Sequence, residues 1–223
     1  EFQSTMHTSK RNDVARMDYY DLKTPEKTPL VVISPPIGGS NDISRMFAEI
    51  FADNGLATVI VYRLKDKLPE KDDYIGGLEA RLKQTILDTR KALDILVQYP
   101  DIDADRIGTF GISLGGIKNA VLAGIDDRFK VNVFVMAGEN IPYILQKSSE
   151  KSIRRKVREA RTTPANENLF EKLAENVHSD PHNLAQYIDD ENTLMFITLL
   201  DSVVPTKSQL KLKRSIGNPA TIY

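Results

Sequence analysis

Cysteine is absent from the 223 residues, which excludes disulfides, thiolate metal sites and a thiol nucleophile, and leaves the redox compartment open. Charge of one sign is not in excess either. The 30 Lys and Arg stand against 31 Asp and Glu, for a net charge of −1. A dedicated nucleic-acid or membrane-surface protein would carry a strong basic surplus. No apolar run approaches the roughly 20 residues of a membrane span. Residues 1–13 are polar, lack the apolar core of a signal peptide and are expected to be disordered. Histidine is scarce, with only His7, His178 and His182. Localisation and oligomeric state stay open.

What is present is an alternation of apolar strand-like runs and amphipathic helical ones. It predicts an α/β fold over 14–223, with a mostly parallel central sheet and helices on both faces. Strands are expected at Val14–Leu22, Leu30–Ser34, Ala57–Tyr62, from just beyond Asp105 to the Gly111 region, Lys130–Met136, Thr193–Leu200 and, beginning, Ala220–Tyr223. Helices are expected at Asn41–Asn54, Gly77–Gln98, after Ser113, and at Thr206–Ile216, with a polar loop over Arg63–Gly76. The region of about 140–190 breaks the rhythm. It is charged, helical in pieces, longer than a crossover needs, and expected to form a helical cap insertion.

The pentapeptide Gly111-Ile112-Ser113-Leu114-Gly115 lies where a strand-forming run gives way to a helix. A serine on so tight a turn has its hydroxyl pushed out of the sheet, and the flanking glycines let backbone approach closely. The competing job for such a serine is a helix N-cap. Two other strand ends match it: Ser34-Pro35-Pro36-Ile37-Gly38-Gly39-Ser40 and Asp201-Ser202-Val203-Val204-Pro205. The glycine-rich turn after Ser34 lacks both the Gly-Lys-Ser/Thr ending of a phosphate loop and the Gly-x-Gly-x-x-Gly spacing of a dinucleotide site.

Taken in order, these three elements resemble the α/β-hydrolase superfamily, particularly its dienelactone-hydrolase-like and small esterase branch, over about Val14 to Tyr223. The resemblance implies a serine hydrolase acting on a small-molecule ester, most simply a carboxylic ester, with no metal or organic cofactor. Peptide or thioester cleavage on the same fold, or a non-catalytic binding role, are the alternatives. Ser113 is then the nucleophile and Asp201 the acid that orients a histidine. Glu139, at the end of the preceding strand, is its competitor. The oxyanion hole is expected from the Leu114 N–H and from Ile37 or Gly38, since Pro35 and Pro36 have no N–H to give. The resemblance places the catalytic histidine on a loop after the last strand, beyond Tyr223, and so implies that the domain continues past this chain.

His178 and His182 stand four apart with Asp180 between them, a spacing that would put both on one face of a helix. Pro181 makes a continuous helix there unfavourable, so surface residues near a turn are expected. The run Lys151-Ser152-Ile153-Arg154-Arg155-Lys156-Val157-Arg158 is read as a solvated helix face, offset by Glu150, Glu159, Glu167, Glu171 and Glu175.

Overall fold

The apolar runs become the strands of one eight-stranded sheet in the computed structural model, which describes residues 2–3, 14–37, 42–63 and 71–223. In chain order the strands are β1 (Phe2–Gln3), β2 (Val14–Tyr20), β3 (Thr28–Ser34), β4 (Ala57–Arg63), β5 (Ile102–Ile112), β6 (Phe129–Val135), β7 (Thr193–Phe196) and β8 (Ala220–Ile222). The helices are α1 (Asp42–Asp53), α2 (Tyr74–Leu96), α3 (Leu114–Ala123), α4 (Ile141–Lys147), α5 (Lys151–Arg161), α6 (Leu169–Asn176) and α7 (Thr206–Ile216). Spatial order is β1-β2-β4-β3-β5-β6-β7-β8; β1 and β2 run antiparallel, and β3 to β8 are parallel. Phe2 and Gln3, inside the segment expected to be disordered, pair with Ala15 and Val14.

The chain steps from β3 to β4 on one side and then crosses back to β5 on the other. Loops leaving β3 and β5 therefore diverge, which opens a crevice at the carboxyl ends of these two strands. Ala48, Phe47 and Phe51 of α1 pack with Ile33, Ile60 and Phe110. Ile86 and Leu93 of α2, with Val121 and Leu122 of α3, pack with Leu30, Val32, Val59 and Ile107 on the opposite sheet face. Buried positions along α2 recur at helical spacing (Leu78, Leu82, Thr85, Thr89, Leu93, Leu96), as an apolar stripe requires.

β7 is shorter than its apolar run. The neighbouring chain leaves the sheet at Met136, whose φ is 50° and whose N–H bonds the Phe196 carbonyl. Past that point the run has no β6 to lie against, and Leu199 and Leu200 stand 59% and 93% exposed. The segment between β6 and β7 carries α4, α5, α6 and three short 3₁₀ turns. Apolar residues of these helices join the cluster that holds Tyr74, Leu78, Ile117 and Phe134.

At the amino end of β6, Asp126 is buried and accepts from Arg128 (Nε 2.8 Å, Nη2 2.7 Å) and from Arg90 Nε (3.0 Å); Arg128 also reaches Asp94 at 2.6 Å. Burial pushes the Asp126 carboxyl upward, but bonds from Arg128 and Arg90 outweigh it and the net shift is downward. Its stabilisation is present above the ordinary value of 3.8 and is lost as pH falls through the depressed one. Asp126→Asn is expected to cost about 2 kcal/mol at neutral pH, roughly 4–8 °C in Tm for a domain of this size. The gap from the parent should narrow in melts taken below that value. A gap independent of pH would contradict the assignment.

Candidate active site

Register lines up Ser34 of β3 with Gly111 of β5, Ile112 with Val135 of β6, and Val135 with Phe196 of β7. The residues that follow these strand ends therefore emerge along one edge: Pro35–Ile37, Ser113, Met136–Glu139 and Ile197–Asp201. Ser113 has φ 54° and ψ −121°, a left-handed conformation that costs a non-glycine residue roughly 1–3 kcal/mol. Two backbone bonds hold it there, from its N–H to Val135 O (2.8 Å) and from Ile117 N–H to its carbonyl (3.0 Å). It occupies the N-cap position of α3, yet its hydroxyl makes no cap hydrogen bond. The strain is thus not explained by capping.

The glycines earn their positions by contact. A Cβ on Gly115 would lie 1.9 Å from Ser34 O, and one on Gly111 would lie 2.6 Å from Gly115 backbone. Absent side chains let the start of α3 rest directly on the end of β3. Leu114 is the first helical residue, and the first N–H groups of a helix have no carbonyl behind them within it. They carry the positive end of the helix dipole toward Ser113. Ile37 and Leu114 pack against the same apolar cluster. Gly38, the other expected oxyanion donor, lies outside the described residues, as do Gly39 and Ser40.

Asp201 lies on the loop between β7 and α7, half-buried. Its Oδ1 accepts from Val203 N–H (2.7 Å) and Val204 N–H (3.0 Å), and its Oδ2 from Gln209 Nε2 (3.1 Å). Three donors fix the carboxylate, and about one of its four acceptor sites remains for an imidazole N–H. It does shape the turn before α7, although the N-cap there is Pro205. Gln209, fully buried, also donates to Val204 O (2.8 Å) and accepts from Thr198 N–H (3.2 Å). Sequence reasoning passed over it. Its only signal was a polar residue on the buried side of a helix.

Glu139 is wholly buried and committed elsewhere. Its Oε1 meets Lys211 Nζ at 3.0 Å and His182 Nδ1 at 3.2 Å. His182 sits in the 3₁₀ turn Pro181–Asn183, while His178 lies before it in irregular chain, so the two share no helix face. Asp180, also buried, accepts from the N–H groups of Asn140 (3.0 Å), Ile141 (2.5 Å) and His182 (2.9 Å). Burial pushes the Asp180 carboxyl up, against the pull of these three donors. Among the described residues no histidine is hydrogen-bonded to Ser113, and no cluster of three potential ligands is placed to hold a metal ion. No described helix is long and apolar enough to cross a membrane.

Sheet order, the switch point between β3 and β5 and the strained turn at Ser113 together define the α/β-hydrolase fold. Residues 76–217 match the model of the prolyl oligopeptidase family, and the chain belongs to that family, within the α/β-hydrolase superfamily. In fold it is similar to an acetyl xylan esterase from Paenibacillus sp. R4 (TM-score 0.73, 22% identity, 95% of this chain and 73% of that one). It is also similar to the acylaminoacyl peptidase of Pyrococcus horikoshii (TM-score 0.68, 16% identity), covering 100% of this chain but 36% of that one. YtaP of Bacillus subtilis (strain 168), a hydrolase by name alone, is 46% identical over 48 residues, 22% of this chain. That match spans only 16% of YtaP.

Proposed function

We propose that this protein cleaves carboxylic esters through an acyl-enzyme on Ser113. The observation that carries the reading is the conformation of Ser113: a strained serine at a helix start whose hydroxyl does no capping. Ser113 Oγ attacks the ester carbonyl, and the charge that develops on the carbonyl oxygen is met by the Leu114 N–H and a donor at Ile37 or Gly38. Asp201 orients the histidine that takes the serine proton and returns it to the leaving alcohol. Water then releases the acid. The base is assigned to a segment after β8, on resemblance alone. Helices α4 to α6 form a cap beside the site and shape the substrate pocket.

The family match favours a second reading, in which the leaving group is an amine and the substrate a peptide. Both share the acyl-enzyme, and fold alone does not separate them.

A fluorophosphonate probe tests the reading. Intact-mass and peptide mapping should find one adduct, on Ser113, and none on Ser113→Ala. Matched p-nitrophenyl acetate and aminoacyl p-nitroanilide assays then rank ester against amide. A parent protein that takes no adduct and turns over neither substrate would sink the proposal.

A further inference from the structure

We infer that the cap helix α5 is an electrostatic guide for negatively charged substrates, so that the site favours esters bearing an anionic group remote from the scissile bond. The substrate site assumed here is that of the ester-hydrolase reading.

α5 buries Ile153, Val157 and Ala160 and turns the rest outward. At the rotation per residue of an α-helix, Lys151, Arg154, Arg155, Arg158 and Arg161 share an arc of about 120°. All five are exposed. The sequence offers five glutamates to offset the run, and the fold brings two of them, Glu150 and Glu159, to the helix itself. Glu150 is spent as the N-cap, bonding Ile153 N–H (2.7 Å) and Ser152 Oγ (2.5 Å). Glu159 lies 3.9 Å from Arg155 and 3.6 Å from Lys156. Glu167, Glu171 and Glu175 are exposed. Asp72 and Asp73, on the 3₁₀ turn packed against α5, are exposed carboxylates. Among the described residues, none of these acids is ion-paired within 4 Å of Lys151, Arg154, Arg158 or Arg161.

Stability accounts for only part of this arrangement, in Arg158 and Arg161 of the last turn, where the dipole favours cations. Like charges at i,i+4 (Lys151 with Arg155, Arg154 with Arg158) repel, and Lys151 and Arg154 stand near the end of the helix where the dipole disfavours cations. In a chain of net charge −1, a concentrated cationic face is a local feature with a use.

Position supplies the use. Ser149, two residues before α5, donates its N–H to Ser202 O (2.7 Å), and the two hydroxyls are 2.7 Å apart. The start of α5 is thereby pinned to the residue after Asp201. Its buried side chains belong to the cluster on whose rim Ile37 and Leu114 pack. The cationic face thus begins beside the loop of the candidate acid, and its field reaches over about a Debye length.

The test compares p-nitrophenyl hemiglutarate with p-nitrophenyl valerate, close in length and differing in one carboxylate. The ratio of kcat/KM, anionic over neutral, should fall about tenfold in Arg154→Gln/Arg158→Gln and should fall as salt is raised from about 0.02 to 0.5 M. The variant should melt no lower than the parent, because its loss relieves repulsion. A ratio unmoved by both changes overturns the inference while leaving the hydrolase reading intact. If neither ester is turned over, calorimetry on Ser113→Ala decides: tighter binding of the hemiglutarate, abolished by the double substitution, sustains the guide and fails the hydrolase reading. Equal binding of the two esters overturns the guide.

Discussion

Ser113→Ala should leave the protein folded and remove hydrolysis, with kcat falling on the order of 10⁶-fold where serine and base act as a unit. The informative partner is Ser113→Gly. Alanine keeps the Cβ and with it the cost of φ 54° and ψ −121°. Glycine removes both hydroxyl and strain, and adds freedom to the unfolded chain that returns part of the gain. Ser113→Gly should therefore be inactive and more stable than Ser113→Ala by about 1 kcal/mol, or roughly 2–4 °C in Tm. Assays on p-nitrophenyl acetate and thermal melts of the two variants measure both effects. If Ser113→Gly melts no higher than Ser113→Ala, the backbone at this turn is not strained. If Ser113→Ala keeps its activity, the nucleophile lies elsewhere.

Gly115→Ala should be the most damaging added methyl among the described glycines. The added Cβ would sit 1.9 Å from Ser34 O, a backbone atom in a central strand that has no room to withdraw. Either α3 lifts off β3 or the register of β3 against β5 gives way, and the expected cost exceeds about 4 kcal/mol, in the range of severe core damage. Gly55→Ala is the control. Gly55 has φ 79° but nothing within 4 Å of the added carbon, so only the left-handed conformation is penalised, by about 1 kcal/mol. Denaturant midpoints for the two variants give the comparison directly. Gly115 itself is helical, so equal destabilisation would mean that α3 shifts to accept the methyl and that the contact with Ser34 is not what makes Gly115 necessary.

Much of the site was legible because its signals are local. The strand-to-helix switch around Ser113 is written in consecutive residues, and the elbow forms there with helix α3 starting at Leu114. The Thr206–Ile216 helix and the β8 region were likewise read to within a residue. Errors arose where an element depends on a neighbour. Thr193–Leu200 is largely apolar, but only Thr193–Phe196 forms the strand, since Met136 turns β6 away. β5 begins at Ile102, earlier than expected, because Thr28 of β3 lies alongside to pair with it.

The sequence by itself determined the class of fold and the strand-to-helix turn at Ser113, since periodicity, glycine placement and residue order act over short stretches of chain. Tertiary structure alone decided which carboxylate is engaged by what. Glu139 meets His182 and Lys211 across 43 and more residues, and Gln209 braces Asp201 from the helix that follows its loop. It also decided that the cations of α5 stay exposed, with Glu159 near Arg155 and Lys156 and no described acid within 4 Å of Lys151, Arg154, Arg158 or Arg161. Charges that balance along a chain cancel only when folding brings them within a few ångströms, and that distance is set by packing.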